Sequence, residues 1–132
     1  MDRSVFGRKQ NPPSERELHG QLLIAAADLF ETVVGQVNTL PGLKREYPDR
    51  WPEILDIDAI QAGIEDAGAQ LKTFSEWMAN NAGPMPPKAV ELLADLVRML
   101  QNSKTIIADN LADILMDKMM KEAIRNSRSE IE

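Results

Sequence analysis

The amino-acid sequence predicts an all-α fold, an antiparallel bundle of three long helices. Three segments repeat apolar residues at alternating steps of three and four, which places those residues on one face of an α-helix. Proline- and glycine-containing stretches separate the segments, and the period-two alternation typical of β-strands is missing. We expect one helical domain over residues 14–126, preceded by a flexible basic arm at residues 1–13 and followed by a polar tail at residues 127–132.

The first helix should begin after Ser14, because Ser14 and Glu17 have the spacing of a capping box. Its end is expected near Thr39, since Pro41 lacks the backbone N–H that a helix interior needs. Apolar residues line one face between these two points: Leu23, Ala26, Phe30, Val33, Val37 and Leu40.

The second helix should begin at Asp56 or Asp58, either of which can cap it, and end near Asn80. The connection before it carries three prolines in about fifteen residues, a length that is often functional. Its apolar face is the most regular in the chain and comprises Ile57, Ile60, Ile64, Ala67, Leu71, Phe74 and Met78.

The third helix is expected to extend from Pro87 to about Arg125 as one long or kinked helix. The apolar pattern keeps its phase across residues 101–105, although weak helix formers there leave a break, and hence a four-helix bundle, as the alternative. A helix of that length would be ~60 Å long, against ~35–40 Å for the first two. About a third of it would therefore project beyond the bundle.

The projecting part carries the main predicted partner-binding surface, which is rich in methionine. Methionine is flexible and polarisable, and it recurs on surfaces that bind helices adaptably. We expect this surface to bind another protein or a second copy in a homodimer, unless these residues close the bundle core instead. The residues are Leu115, Met116, Met119, Met120 and Ile124.

Asp109, Asp113 and Asp117 form an acidic row with a spacing of four residues, next to that surface. Like charges at this spacing repel by a few tenths of a kcal/mol unless they are neutralised. A basic partner would neutralise the row, and so would Lys121 and Arg125 on the same helix. We do not expect a metal site, because a single row lacks ligands from a second element.

Tyr47 and Trp51 are the remaining predicted partner contacts, in a loop that also contains Arg45 and Arg50. Tryptophan and arginine are favoured anchors at protein interfaces. Two alternatives are that Trp51 plugs the end of the bundle, or that the Arg45–Trp51 loop binds nucleic acid weakly through stacking.

Charge and composition narrow the classes of function. The net charge of −6 disfavours nucleic-acid binding and suits a basic partner surface. The absence of cysteine excludes disulfides and thiol catalysis, and it fits the cytoplasm. No apolar stretch is long enough to span a bilayer, so no membrane partner is expected.

These observations predict a small acidic interaction module, such as an adaptor, chaperone or inhibitor, that acts by occupying a surface. One form of it would block a basic nucleic-acid-binding surface. We expect no catalysis and no cofactor, because the single histidine, His19, has no recognisable nucleophile motif around it. The alternative is a metal-dependent helical hydrolase that uses Glu91, Asp95 and the aspartate row.

Overall fold

The computed structural model describes residues 14–131, with side chains described through residue 128, so the predicted arm at residues 1–13 lies outside the described residues. Three α-helices, α1 (Glu15–Glu46), α2 (Ile57–Asn80) and α3 (Pro87–Ile131), account for nearly all of it, with a short 3-10 turn at Pro48–Arg50 and no strand among the described residues. The predicted all-α three-helix bundle is confirmed.

α3 is one continuous helix of 45 residues, with no interruption at residues 101–105. The four-helix alternative is therefore excluded. The helix also continues past the predicted end at Arg125, so that residues 127–131 of the expected tail are helical.

α1 begins where the capping box predicts, with the Ser14 hydroxyl accepting a hydrogen bond from the Glu17 backbone N–H at 3.1 Å. The predicted end at Pro41 is wrong, since α1 continues through this proline to Glu46. A proline in a helix interior costs about 3 kcal/mol. Continuing the helix buries Leu43 and Tyr47, and burying side chains of this size gains about 1.5–3 kcal/mol each. The burial outweighs the proline.

α2 is capped by Asp56, whose carboxylate accepts from the Ala59 N–H at 3.2 Å. At its other end the Arg16 guanidinium donates to the carbonyls of Met78, Asn81 and Gly83 at 2.6, 2.6 and 2.9 Å. These bonds satisfy acceptors that a helix end leaves without intrahelical partners. Arg16 thereby ties the start of α1 to the end of α2.

The chain reverses direction twice, so α1 and α3 lie parallel with α2 antiparallel to both. Two contacts define the register of the parallel pair: the Gln36 amide donates to the Lys104 carbonyl at 3.2 Å, and Lys118 pairs with Glu46 at 3.2 Å. α1 packs closely against both other helices, whereas α2 and α3 touch each other sparingly. The bundle is consequently open along the side between α2 and α3.

The core follows α1 and ends at Ile114, the last buried residue of α3 among those whose side chains are described. His19 lies half-buried at the opposite end, where its Nδ1 accepts from the Met85 N–H at 3.0 Å. Every described side chain from Met119 to Arg128 is exposed. The part of α3 beyond Lys118 is thus a projection of about 20 Å at ~1.5 Å per residue.

Candidate functional site

A group of charged side chains around Tyr47 closes the end of the bundle, and we call it the clasp: Glu46, Tyr47, Arg50, Asp117, Lys118 and Lys121. Asp117 lies at its centre, 3.2 Å from the Arg50 guanidinium and 3.1 Å from the Lys121 ammonium. Both cations also lie over the Tyr47 ring, at 5.9 and 5.1 Å from its centroid. The clasp joins α1, the 3-10 turn and α3 at one level.

Tyr47 was expected on a partner-binding surface, but only 7% of it is exposed. Its ring packs against the core and is covered by the clasp cations, so it holds the bundle together. Trp51 is half-buried, and its indole N–H donates to the Leu55 carbonyl at 2.8 Å. This geometry agrees with the alternative that the tryptophan plugs the bundle end.

Within the Arg45–Trp51 segment, Tyr47 is withdrawn from the surface on which nucleic-acid bases could stack. Tyr47 is buried, Arg50 is engaged by Asp117, and residues through Glu46 belong to α1. Arg45 is exposed, and nucleic-acid binding by this segment stays a prediction.

The apolar face of α3 changes sides after Ile114. An α-helix turns about 100° per residue, so the face that points Leu100, Ile107 and Ile114 into the core continues as Lys118, Lys121 and Arg125. The core-directed face therefore becomes basic where the bundle ends. This face forms the clasp instead of extending the core.

The apolar residues of the projection lie on the opposite face of α3, about 180° from the core. We call this face the outer stripe, and it consists of Met116, Met119, Met120, Ala123 and Ile124. The exposed fractions of its four large side chains are 59%, 65%, 60% and 53% in that order, omitting the alanine. These values exclude the alternative that the methionines close the bundle core.

Leu115 borders the outer stripe, because Met119 follows it by about one helical turn. It is 41% exposed and lines a groove of about 780 Å³ between α1 and α3, together with Leu43 and Leu111. Leu115 therefore contributes both to the edge of the predicted surface and to this groove.

The acidic row is also divided. Asp109 and Asp113 are exposed on the face that continues into the outer stripe, whereas Asp117 turns to the clasp. The predicted neutralisation of Asp117 by Lys121 is present. The second cation, Arg50, comes from the loop after α1, so the helical spacing did not indicate it.

The alternative hydrolase site is not assembled in the described part of the chain. No three acidic or histidine side chains converge there in a way that could hold a metal ion. Asp95 pairs with Arg98 on the surface, and it lies roughly 20 Å along α3 from Asp109. Glu91 is exposed in the same region.

The sequence missed the clasp because its partners are far apart along the chain; Glu46 and Lys118, for example, are separated by 72 residues. Helical spacing reports neighbours within one helix only.

None of the described helices is long and apolar enough to cross a membrane.

Comparison with known proteins adds one similarity. No protein-family model matches this chain, and no solved structure matches it. The PKS-NRPS hybrid synthetase psoA of Aspergillus fumigatus is 29% identical to it over 142 aligned positions. The alignment covers 96% of this chain, which spans only 4% of the length of the synthetase. The similarity is therefore to one small segment of a much longer protein.

Proposed function

We propose that this chain is a non-catalytic helical interaction module. The bundle acts as a support, and the C-terminal part of α3, from Met116 onward, presents the outer stripe to another protein chain. The observation that carries this proposal is the position of the exposed apolar residues, which lie on the face of α3 opposite the core.

Within the described part of the chain, the outer stripe takes no part in the hydrophobic core. A projecting helix with no partner is expected to be polar all round, because nothing covers any of its faces. Here Met116, Met119, Met120 and Ile124 are adjacent on one face, and each is more than half exposed. Contiguous exposed apolar patches of this kind mark interaction sites in soluble proteins.

The projection would also gain order from a partner. Lys121 fastens the start of the projection to the clasp, and a helical segment of about 13 residues with so little tertiary contact is marginally stable in water. A second helix packed on the outer stripe would cover the methionines and add the packing that such a segment lacks. Methionine side chains adapt readily to such a surface.

Charge adds a preference for basic groups on the partner. Asp109 and Asp113 are exposed at the bundle end of the outer stripe, and the chain as a whole carries a net charge of −6. A partner with basic residues beside an apolar ridge would match both features. Blocking of a basic nucleic-acid-binding surface is a narrower form of the same proposal.

The similarity to a segment of a PKS-NRPS hybrid synthetase supports a unit that works beside other domains, since the matched part is 4% of that protein. We propose that the chain contributes binding and not chemistry in such a setting. A cytoplasmic location belongs to the same proposal and rests on the absence of cysteine.

The test is capture of bound proteins by the full chain and by two variants. Met119→Asp/Met120→Asp places charges on the outer stripe, and Ile24→Asp places one at a matched site on α1, where Ile24 is 63% exposed. We expect bound proteins, including further copies of the chain, to be lost with the first variant and kept with the second. Identical capture by the two variants would contradict the proposal.

A further inference from the structure

We propose that the outer stripe binds a second copy of this chain, with the two α3 projections packed antiparallel and Met120 at the two-fold axis. This inference rests on the proposed function and names the partner of the same surface. The distribution of charge along α3 carries it.

The charges on this part of α3 are segregated along the helix. Residues 109–117 contain acidic charges alone, at Asp109, Asp113 and Asp117. Residues 118–128 contain four cations and a single carboxylate: Lys118, Lys121, Arg125, Arg128 and Glu122. The helix dipole does not explain the acidic part, because dipole effects are confined to the end turns and residues 109–117 lie in the interior of a 45-residue helix.

An antiparallel pair centred on Met120 brings complementary residues together. Each residue before Met120 then faces the residue equally far after it on the other copy. Met116 faces Ile124, so the exposed apolar side chains cover one another. Asp113 faces Ser127 and lies beside Arg128 of the second copy.

The flanks of the stripe agree with this orientation. At about 100° per residue, Asp113, Asp117 and Arg128 lie on the same flank of the outer stripe. In an antiparallel pair related by a two-fold axis, like flanks of the two helices meet. Asp113 of each copy therefore meets Arg128 of the other, and the ion pair forms twice.

A parallel pair would have the opposite consequence. It stacks residues in register, so that Asp109, which lies near the middle of the outer face, would meet its own equivalent across the interface. Like charges directly opposite each other destabilise an interface. Asp113 and Arg128 of the two copies would also lie about 22 Å apart along the axis, so the ion pair between them could not form.

The approach of a second helix is open. Asp109, Ala112 and Asp113 are exposed on the outer face of α3, away from the core-directed face that packs on α1. The pairing can therefore extend from Ala112 to Arg128, roughly 25 Å on each copy. The two bundles then lie at opposite ends of the paired helices.

The mass of the full chain should be measured by light scattering and sedimentation across a concentration series. We expect a dimer that dissociates on dilution, a monomer for Met116→Asp/Met120→Asp, and a dimer for the matched control Ile24→Asp. Far-UV circular dichroism should show all three folded, because the substituted side chains are exposed. A wild-type chain that stays monomeric at millimolar concentration would overturn the inference.

Charge exchange tests the register. Asp113→Arg and Arg128→Asp should each weaken the dimer by about tenfold, since each replaces two attractive pairs with repulsive ones at an exposed site. The combined variant exchanges both partners and should restore the wild-type dissociation constant. If the combined variant is as weak as the sum of the single variants, the proposed pairing is wrong.

Disulfide formation tests the orientation, and the chain offers a clean background because it has no cysteine. A mixture of Met116→Cys and Ile124→Cys chains should form the mixed disulfide, because these positions face each other in the antiparallel pair. Disulfides between identical positions would require a parallel pair, since in the antiparallel pair those positions are about 12 Å apart along the axis.

Failure of this inference leaves the proposed function separately testable. A monomeric chain that still loses another protein through Met119→Asp/Met120→Asp would retain the interaction role and reject the second copy as partner. A chain that neither dimerises nor loses any bound protein in that variant would reject both.

Discussion

Replacing Pro41 by alanine should stabilise the protein, because α1 passes through this residue as a regular helix. Proline in a helix interior is about 3 kcal/mol less favourable than alanine. Two effects reduce this gain. Pro41 is half-buried, so the loss of two partly buried CH₂ groups costs about 0.8 kcal/mol. The greater conformational entropy of the unfolded chain without the proline costs about 0.4–1 kcal/mol more. The net stabilisation expected for Pro41→Ala is about 1–2 kcal/mol.

Urea titration followed by circular dichroism measures this difference directly, and a thermal melt should show a rise of about 4–8 °C. Pro87→Ala is the matched control, since Pro87 is the first residue of α3 and its missing N–H has no intrahelical acceptor there. The control should change the free energy of unfolding by less than about 1 kcal/mol, in the destabilising direction.

A Pro41→Ala variant that is no more stable than wild type, or that behaves like Pro87→Ala, would refute the reasoning. It would mean that α1 ends near Pro41 in solution, as the sequence alone predicts. Glu46 would then not be held level with Lys118, and the clasp that ends the core would lose its α1 component.

Three further substitutions test the packing, each by urea titration. Gly63→Ala should stabilise the protein by about 0.5–1 kcal/mol, because the added Cβ would meet no neighbouring side chain within 4 Å. Gly68→Ala should gain less or destabilise, because its Cβ would lie 3.1 Å from the Phe30 ring. Equal gains for the two variants would contradict this close contact. Arg16→Ala should cost about 1–3 kcal/mol through loss of its bonds to the carbonyls that follow α2, and a neutral result would show that water replaces them. Removal of residues 122–132 should leave the monomer within about 0.5 kcal/mol of wild type while abolishing self-association, since every described side chain there is exposed.

The helices themselves were predictable from the sequence because their determinants are local. Ser14 and Asp56 cap their helices through side chains that reach backbone N–H groups three residues away. The phase of the apolar residues across residues 101–105 correctly predicted one continuous α3, although the residue types there favour helix weakly. Local rules were insufficient at Pro41, where burial of distant side chains outweighs the local preference.

The candidate site was predictable in part. The projection of α3 follows from helix lengths, which the sequence supplies. The roles of single residues do not, because they depend on which atoms of other helices lie nearby. Tyr47 and Trp51 have the composition of an interface anchor, yet one is buried beneath the clasp and the other plugs the bundle end.

The sequence by itself determined the helical segments and the cap of α1, and it favoured an α3 too long for its companions, since each depends on residues within a few positions of one another. Only the tertiary structure decided where the core ends. The core ends and the projection begins at the level where α1 stops alongside α3. Salt bridges of Glu46 with Lys118 and of Arg50 with Asp117 lie at this level. Past that level the core-directed face of α3 becomes basic, and the methionines lie on the opposite face, which none of the described residues buries.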